Sequence, residues 1–341
     1  MSGKTPVIIP RIDEAEHTPA WQSELANAVR STEELLQLLG IEAGPAIIGR
    51  RADGFPLRVP RGFVRRMQAG NAQDPLLLQV LPVQAETATA AGYQQDPLAE
   101  TCAMPVPGLL HKYRGRALLT VTGACAVHCR YCFRRHFPYP DANPAGDQWV
   151  NAVRYLDAHT DIHELILSGG DPLSLTDRRL AQLSRQLDKI AHLHTLRIHT
   201  RTPVVLPERV DSGLLEWIAN RPQRVVMVIH CNHPNEIDDH VMIAMRQLAQ
   251  AGVTLLNQSV LLKAVNDDTD TLVRLSERLF AAGVLPYYLH QLDRVQGAAH
   301  FEVDDLRARS LHADMRSRLP GYLVPRLVRE EPGATGKTLL V

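Results

Sequence analysis

From Gly115 onward the chain alternates short apolar runs with amphipathic stretches of helical length, and this βα rhythm restricts the fold more than any other feature. The six runs are Ala117 to Val121, Glu164 to Leu167, Leu196 to His199, Val225 to Ile229, Val253 to Val260 and Pro286 to Leu292. Between them the spacing predicts helices near 147–158, 177–190, 208–220, 237–251 and 269–282, with Gly252 and Gly283 as C-terminal stops. Strands joined by such crossovers run parallel. Six βα repeats cannot close an eight-stranded barrel. The expected architecture is therefore an α/β partial (β/α)6 TIM-like barrel, open on one side, with its site at the C-terminal strand ends.

Upstream the texture differs. Leu25, Ala28, Val29, Leu35, Leu36 and Leu39 recur at mostly helical spacing, and Ser31-Thr32-Glu33-Glu34 reads as a fresh N-cap, so two short helices are expected. Pro56, Pro60, Pro75, Pro82, Pro97, Pro105 and Pro107 then break the chain into short pieces. Residues 1–110 read as an irregular, mainly helical segment, 111–325 as the barrel and 326–341 as a tail.

The 45% hydrophobic and 22% charged content of the 341 residues furnishes a sizeable core and excludes a disordered or fibrous chain. Lys plus Arg (37) equals Asp plus Glu (37), which leaves no basic excess for a phosphate backbone, so no nucleic-acid partner is expected. The opening MSGKTPVIIPRIDE lacks a signal-peptide core, and nothing later approaches the ~20 apolar residues of a membrane span. A cytoplasmic protein without membrane attachment is the expectation. Five cysteines, three of them within eight residues, suit a metal site in a reducing compartment better than disulfides.

The three lie in Gly123-Ala124-Cys125-Ala126-Val127-His128-Cys129-Arg130-Tyr131-Cys132, CxxxCxxC spacing on a loop directly after the first strand. Three thiolates there can hold three corners of a [4Fe–4S] cube and leave one iron open, whereas structural clusters and structural zinc usually take a fourth protein ligand. Cys102 and Cys231 form no second pair with the loop. Zinc completed by His128 or His136 is the plainer alternative. The second run ends in Ser168-Gly169-Gly170-Asp171-Pro172, whose glycines either let the backbone approach a ligand closely or make an ordinary strand-to-helix turn. His230 and Gln258, at the ends of the fourth and fifth strands, read alone as candidate core polar groups.

Near the C-terminus, Glu330-Glu331-Pro332-Gly333-Ala334-Thr335-Gly336-Lys337-Thr338 invites comparison with a phosphate loop. That pattern needs glycine at 331, where Glu stands, and a following helix, where only four residues remain. Glycines just before a lysine still suit a phosphate held by backbone N–H groups beside an amine that condenses with an aldehyde. A flexible terminal lysine is the plain alternative.

CxxxCxxC after the first strand of a sixfold βα pattern resembles the radical S-adenosylmethionine superfamily. The resemblance implies that Cys125, Cys129 and Cys132 hold a [4Fe–4S] cluster whose open iron is chelated by S-adenosylmethionine. It further implies that Ser168, Gly169, Gly170 and Asp171 form the segment that meets that cofactor's amino group, and that His230 and Gln258 line its pocket. Together with the cluster loop, the tail resembles the lysine 2,3-aminomutase family, in which a lysine ending a PGGGGK-like stretch carries pyridoxal phosphate. Here Ala334 and Thr335 stand where that family has glycines. By this resemblance Lys337 is the catalytic, cofactor-bearing residue. In His111-Lys112-Tyr113-Arg114-Gly115-Arg116, which reads by itself as a basic lead-in to a strand, Tyr113 would pack on the cofactor ring and Arg116 would meet its phosphate.

A lysine substrate needs a partner for its carboxylate and an acidic pocket for its distal ammonium. Arg134 could take the carboxylate bidentately. Asp293 and Glu330 match the family's ammonium-binding positions, Glu330 replacing its Asp, although each of the three could be a solvated surface charge. The stretches PGLLHKY, CRYCFRRHFPY, VTLLNQSVLL, LPYYLH, VQGAAHF and GYLVP fit best the bacterial branch that converts (S)-α-lysine to (R)-β-lysine for modification of elongation factor P. That implies lysine as substrate, an electron donor such as flavodoxin or ferredoxin, and a functional link to elongation factor P and its lysyl ligase. The family's larger catabolic enzymes carry a C-terminal extension and an intersubunit zinc. With Asp268 where their remaining zinc-binding Cys lies, no structural zinc is expected. A catabolic 2,3-aminomutase acting on free lysine, glutamate or arginine is the second reading, and a non-catalytic Fe–S or zinc protein the third.

Overall fold

The computed structural model describes residues 18–42, 44, 55–140 and 149–341. The opening stretch read for a leader, and positions 147 and 148 of the first expected barrel helix, lie outside the described residues. Two short helices, α1 (Ala20–Ala26) and α2 (Thr32–Leu39), form where the periodicity placed them. Ser31 Oγ accepts the Glu34 N–H at 3.0 Å, satisfying one of the donors a helix start leaves unpaired. Gly40, at φ 64°, ends α2 in a conformation that costs a side-chain-bearing residue more. The one-turn helices α3 (Arg61–Val64) and α4 (Pro75–Leu78) follow, the latter capped by Asp74, which accepts from the N–H groups of Leu76 and Leu77 at 2.9 and 3.0 Å. Trp21, Leu35, Phe63, Leu76 and Leu77 share one buried cluster with Ala126 and Val127 of the cysteine loop. The N-terminal segment thus packs directly on that loop.

The barrel is one nine-stranded sheet with strands in sequence order: β1 (Leu109–Tyr113), β2 (Arg116–Thr122), β3 (Glu164–Gly169), β4 (Thr195–Thr200), β5 (Arg224–His230), β6 (Thr254–Val260), β7 (Leu285–His290), β8 (Arg326–Arg329) and β9 (Thr338–Leu339). β2 to β8 are all parallel, while β1 and β9 are antiparallel additions at the two ends. β1 and β9 do not pair with each other, so the barrel is partial and open. The crossovers contain α5 (Val150–Ala158), α6 (Asp177–Leu187), the short α7 (Thr202–Val205) with α8 (Ser212–Ala219), α9 (Asp239–Gln250), α10 (Thr269–Ala281) and α11 (Asp305–Arg318). Gly252 and Gly283, at φ 85° and 79°, stop α9 and α10 as expected.

The strands alternate. Leu165 and Leu167, Leu196 and Ile198, and Met227 and Ile229 join the main core beneath the helices, so Ser168, His199 and His230 face inward. The structure adds elements the rhythm did not announce. α11 and β8 extend the six βα units with a seventh parallel strand, and the basic stretch before the first run is itself a strand, β1. No helix among the described residues is long and apolar enough to cross a membrane.

Candidate active site

At the end of β2 the cysteine loop is held against the end of β3. The Thr122 carbonyl accepts from the Gly170 N–H at 2.7 Å, and the Ala124 carbonyl from the Asp171 N–H at 2.8 Å. A Cβ on Gly169 or Gly170 would run into the backbone of Thr122 or of Ala124. The glycine pair therefore allows close approach, but what it approaches here is the cysteine loop itself. Asp171 is likewise committed to the scaffold. Its buried carboxylate accepts from Thr200 Oγ1 (2.6 Å) and from the N–H groups of Arg201 (2.7 Å), Thr202 (3.0 Å) and Leu173 (3.0 Å), clasping β3 to β4.

Buried charges fix the loop from its other side. Arg130 donates to Glu86 through Nε at 2.8 Å and again through Nη2, and Arg135 Nη2 reaches the same carboxylate at 2.7 Å. Arg201, just past β4, donates to Cys129 Sγ (2.8 Å), Tyr131 Oη (2.6 Å), Gln79 Oε1 (2.7 Å) and Glu236 Oε2 (2.9 Å). Sequence reasoning missed this framework. Arg201 stands where barrel sites gather, immediately after a strand's C-terminal end, and could have been found by that rule. Glu86, Gln79 and Glu236 carry no local signal.

Burial pushes the Cys132 thiol up to about 11, helped by the neighbouring Cys129, and pushes Cys125 up in the same way with Cys132 next in effect. With the Cys125 and Cys132 thiols both held above their ordinary range, a cationic centre is what would let them become thiolates together. Among the described residues no three His, Cys, Asp or Glu side chains group so as to hold a metal ion, and the corners of an iron–sulfur cube are ligated further apart than one ion's ligands. His128 Nδ1 meets the Pro56 carbonyl at 2.9 Å, and His136 Nε2 the Gln296 carbonyl at 3.2 Å, so one nitrogen of each imidazole is taken by a backbone carbonyl. The donor set fits a cluster with an open iron.

His230 and Gln258 are register partners on β5 and β6, so the structure brings them side by side. His230 Nε2 lies 2.9 Å from Tyr131 Oη; burial and then Arg201 push its pKa down to about 3. Arg134 is buried and already paired. Its Nε and Nη2 donate to Glu100 at 2.7 and 2.8 Å, and its Nη1 to Ser168 Oγ at 2.8 Å.

The tail is no loose terminus. β8 and β9 pair Arg329 with Thr338, which sets Lys337 beside Glu330, and the two side chains form an ion pair. Tyr113, at the far end of the sheet in β1, donates to Glu330 Oε1 at 2.5 Å, and the Arg116 guanidinium lies 4.6 Å over the Tyr113 ring. This group therefore sits at the seam where the open sheet's two ends meet, not only at the C-terminal strand ends that the barrel rule led one to expect. Arg116 is the first residue of β2 and Tyr113 the last of β1. Burial works to raise the Glu330 pKa, but the Lys337 ammonium and the Tyr113 hydroxyl hold it below its ordinary value. Asp293, just after β7, is raised to about 7 by burial and then by the Glu330 charge, against the pull of Lys337. One ammonium thus faces two carboxyls, beside an aromatic ring stacked with a cation. An amine so placed can take an aldehyde cofactor, and the carboxyls can hold a second ammonium.

The Radical SAM superfamily model matches residues 119–275, which include the cysteine loop, so fold and loop together define a radical S-adenosylmethionine enzyme. The chain is 51% identical to the L-lysine 2,3-aminomutase of Escherichia coli (strain K12), over 94% of this chain and 94% of that one. It is 47% identical to that of Haemophilus influenzae over 97% and 98%, and 33% identical to that of Acetoanaerobium sticklandii over 93% and 77%. It belongs to the L-lysine 2,3-aminomutase family, and is an isomerase. Its cofactors are those of the class: a [4Fe–4S] cluster, S-adenosylmethionine and pyridoxal phosphate.

Proposed function

We propose that this chain converts (S)-α-lysine to (R)-β-lysine, with Lys337 carrying pyridoxal phosphate and Cys125, Cys129 and Cys132 ligating the cluster. The observation that carries the reading is the meeting of Lys337, Glu330 and Asp293 at the seam of the barrel. An amine beside two carboxyls suits a substrate with a second, distal ammonium, because an unpaired buried charge is costly. When bound, pyridoxal phosphate supplies an aldehyde for the substrate's amino group, and the cluster with S-adenosylmethionine supplies the radical that removes a hydrogen.

The protein's own part is placement. Asp293 and Glu330 hold the distal ammonium, and Tyr113 and Arg116 hold the pyridoxal ring and its phosphate. Arg134 directs its remaining N–H toward the substrate carboxylate. Ser168, Gly169, Gly170 and Asp171, with His230 and Gln258, border the S-adenosylmethionine pocket. In domain terms, the described residues within 1–110 brace the cluster loop, those within 111–325 build the lumen and 326–341 deliver the lysine. Anaerobic reconstitution followed by chromatography of the products from lysine, glutamate and arginine tests the assignment. β-Lysine from lysine is the expected result; preferential turnover of glutamate or arginine would sink it.

The destination of the product, modification of elongation factor P through its lysyl ligase in the cytoplasm, rests on the resemblance of the stretches from PGLLHKY to GYLVP, as does an electron donor of the flavodoxin or ferredoxin type. Mass spectrometry of elongation factor P incubated with its ligase and the purified product checks the destination. A ligase that takes α-lysine equally well would speak against it.

A further inference from the structure

Two histidines in the lumen have no role in the site as described. His199 on β4 and His290 on β7 point inward, since Leu196 and Ile198 on one strand and Leu289 on the other join the cores beneath the helices. The Nε2 of each is out of solvent reach and has no hydrogen-bond partner. Native chains rarely leave buried polar atoms so, and such atoms call for a partner that arrives from outside the chain. His230, two strands from His290, shows the contrast, with its Nε2 on the Tyr131 hydroxyl at 2.9 Å.

Both imidazoles belong to the surroundings of Lys337. His290 stands edge-on to Tyr288 at 5.5 Å between ring centroids, and the Lys337 ammonium lies 5.6 Å from the centre of that same Tyr288 ring. Burial, then Arg197, Lys337 and Arg134, keep His199 uncharged; burial, then Lys337 and His230, do so for His290. Each ring therefore offers one N–H donor and one acceptor nitrogen. The nearby arginines are already answered, Arg197 by Glu164 (Nε at 3.0 Å) and Arg134 by Glu100 (Nε at 2.7 Å). Beside Arg116 and the remaining N–H of Arg134, an anionic group arriving at Lys337 would find the two histidines as further unpartnered donors.

We propose that His199 and His290 are ligand-binding residues, whose imidazoles take an anionic oxygen group, carboxylate or phosphate, of the molecule carried at Lys337. The inference rests on Lys337 being the cofactor lysine.

The test uses the cluster-loaded full chain and the variants His199→Leu, His290→Leu, His199→Asn and His290→Asn. Binding is read from the absorbance of the bound aldehyde in two paired titrations, pyridoxal phosphate against pyridoxal and then lysine against lysinamide. In the Leu variants the preference for the anionic member of one pair should fall by about tenfold, and by less in the Asn variants, which keep an amide donor. A fall in the first pair identifies the phosphate, and a fall in the second the carboxylate. Leu variants with normal iron content that keep both preferences within about threefold of wild type overturn the proposal. Should the Leu variants fail to fold, His199→Ala and His290→Ala, which also lack a donor, decide by the same ratios. Wild-type chain that gives no absorbance change with pyridoxal phosphate would instead overturn the cofactor reading beneath it.

Discussion

The cysteine loop and the lysine hairpin are held in opposite ways. Around the loop, Glu86 is fully buried between Arg130 and Arg135, and Arg201 is shared among Cys129, Tyr131, Gln79 and Glu236. Lys337 depends on a two-residue strand and one ion pair, whose side chains keep 24% and 13% of their surface exposed. Buried charges recover their desolvation cost only in a fixed geometry, so the cysteine loop is built to stay still. An ion pair that water still reaches opens at little cost. A hold of one water-reached ion pair suits an amine that exchanges one bonding partner for another, whereas a cluster needs ligands that do not move.

Substitutions at the two ends should separate these roles, and the largest effects come first. Serine at Cys125, Cys129 or Cys132 should abolish both iron content and β-lysine formation while leaving the pyridoxal phosphate absorbance change in place. Lys337→Ala should abolish turnover with iron content unchanged, so iron analysis and cofactor absorbance on the same samples would reveal any crossover between the ends. Next in size, Glu86→Gln leaves two buried guanidiniums short of a counter-charge and should cost about 3–5 kcal/mol in chemical denaturation. Gly170→Ala should weaken iron retention, because its Cβ would run into the Ala124 carbonyl. A Gly170→Ala chain with normal cluster stability would mean that the contact yields.

pH gives a smaller effect with a definite sign. Asp293 titrates near 7 in the folded chain and near ~3.9 when unfolded, so between these values the folded chain binds the extra proton. Its contribution to the stability of the cofactor-free chain should be full at low pH and lost as pH rises through 7. Asp293→Asn should remove that part of the pH dependence of Tm. Lysine affinity should run the other way, rising through pH 7 as the carboxylate forms. The smallest effect expected is that of Glu330→Gln on cofactor-free stability, about 1 kcal/mol or less, in keeping with a partly exposed pair.

Local pattern carried much of the barrel. Six strands, the N-cap at Ser31 and the stops at Gly252 and Gly283 were legible because each depends on a few adjacent side chains. α11 escaped because its apolar residues are sparse among the charged and polar ones of Asp305–Arg318, and its buried face is only Ala308, Leu311, His312 and Met315. β8 and β9 are too short for alternation to show. At the site, spacing singled out the three cysteines, whereas Lys337 needed its glycines and a family resemblance. What holds both in place was not legible: Tyr113 meets Glu330 across 217 positions, and Gln79 meets Glu236 across 157. Such partners exist only once the sheet has curved far enough to bring its two ends together.

The central claim is that the cluster end and the lysine end act on one substrate molecule in one lumen. Its most direct test gives the fully loaded enzyme (S)-α-lysine deuterated at C3 under anaerobic conditions and follows the label. The account requires deuterium in the recovered S-adenosylmethionine, at its 5′ carbon, as well as in β-lysine. β-Lysine formed with no deuterium reaching S-adenosylmethionine would contradict it.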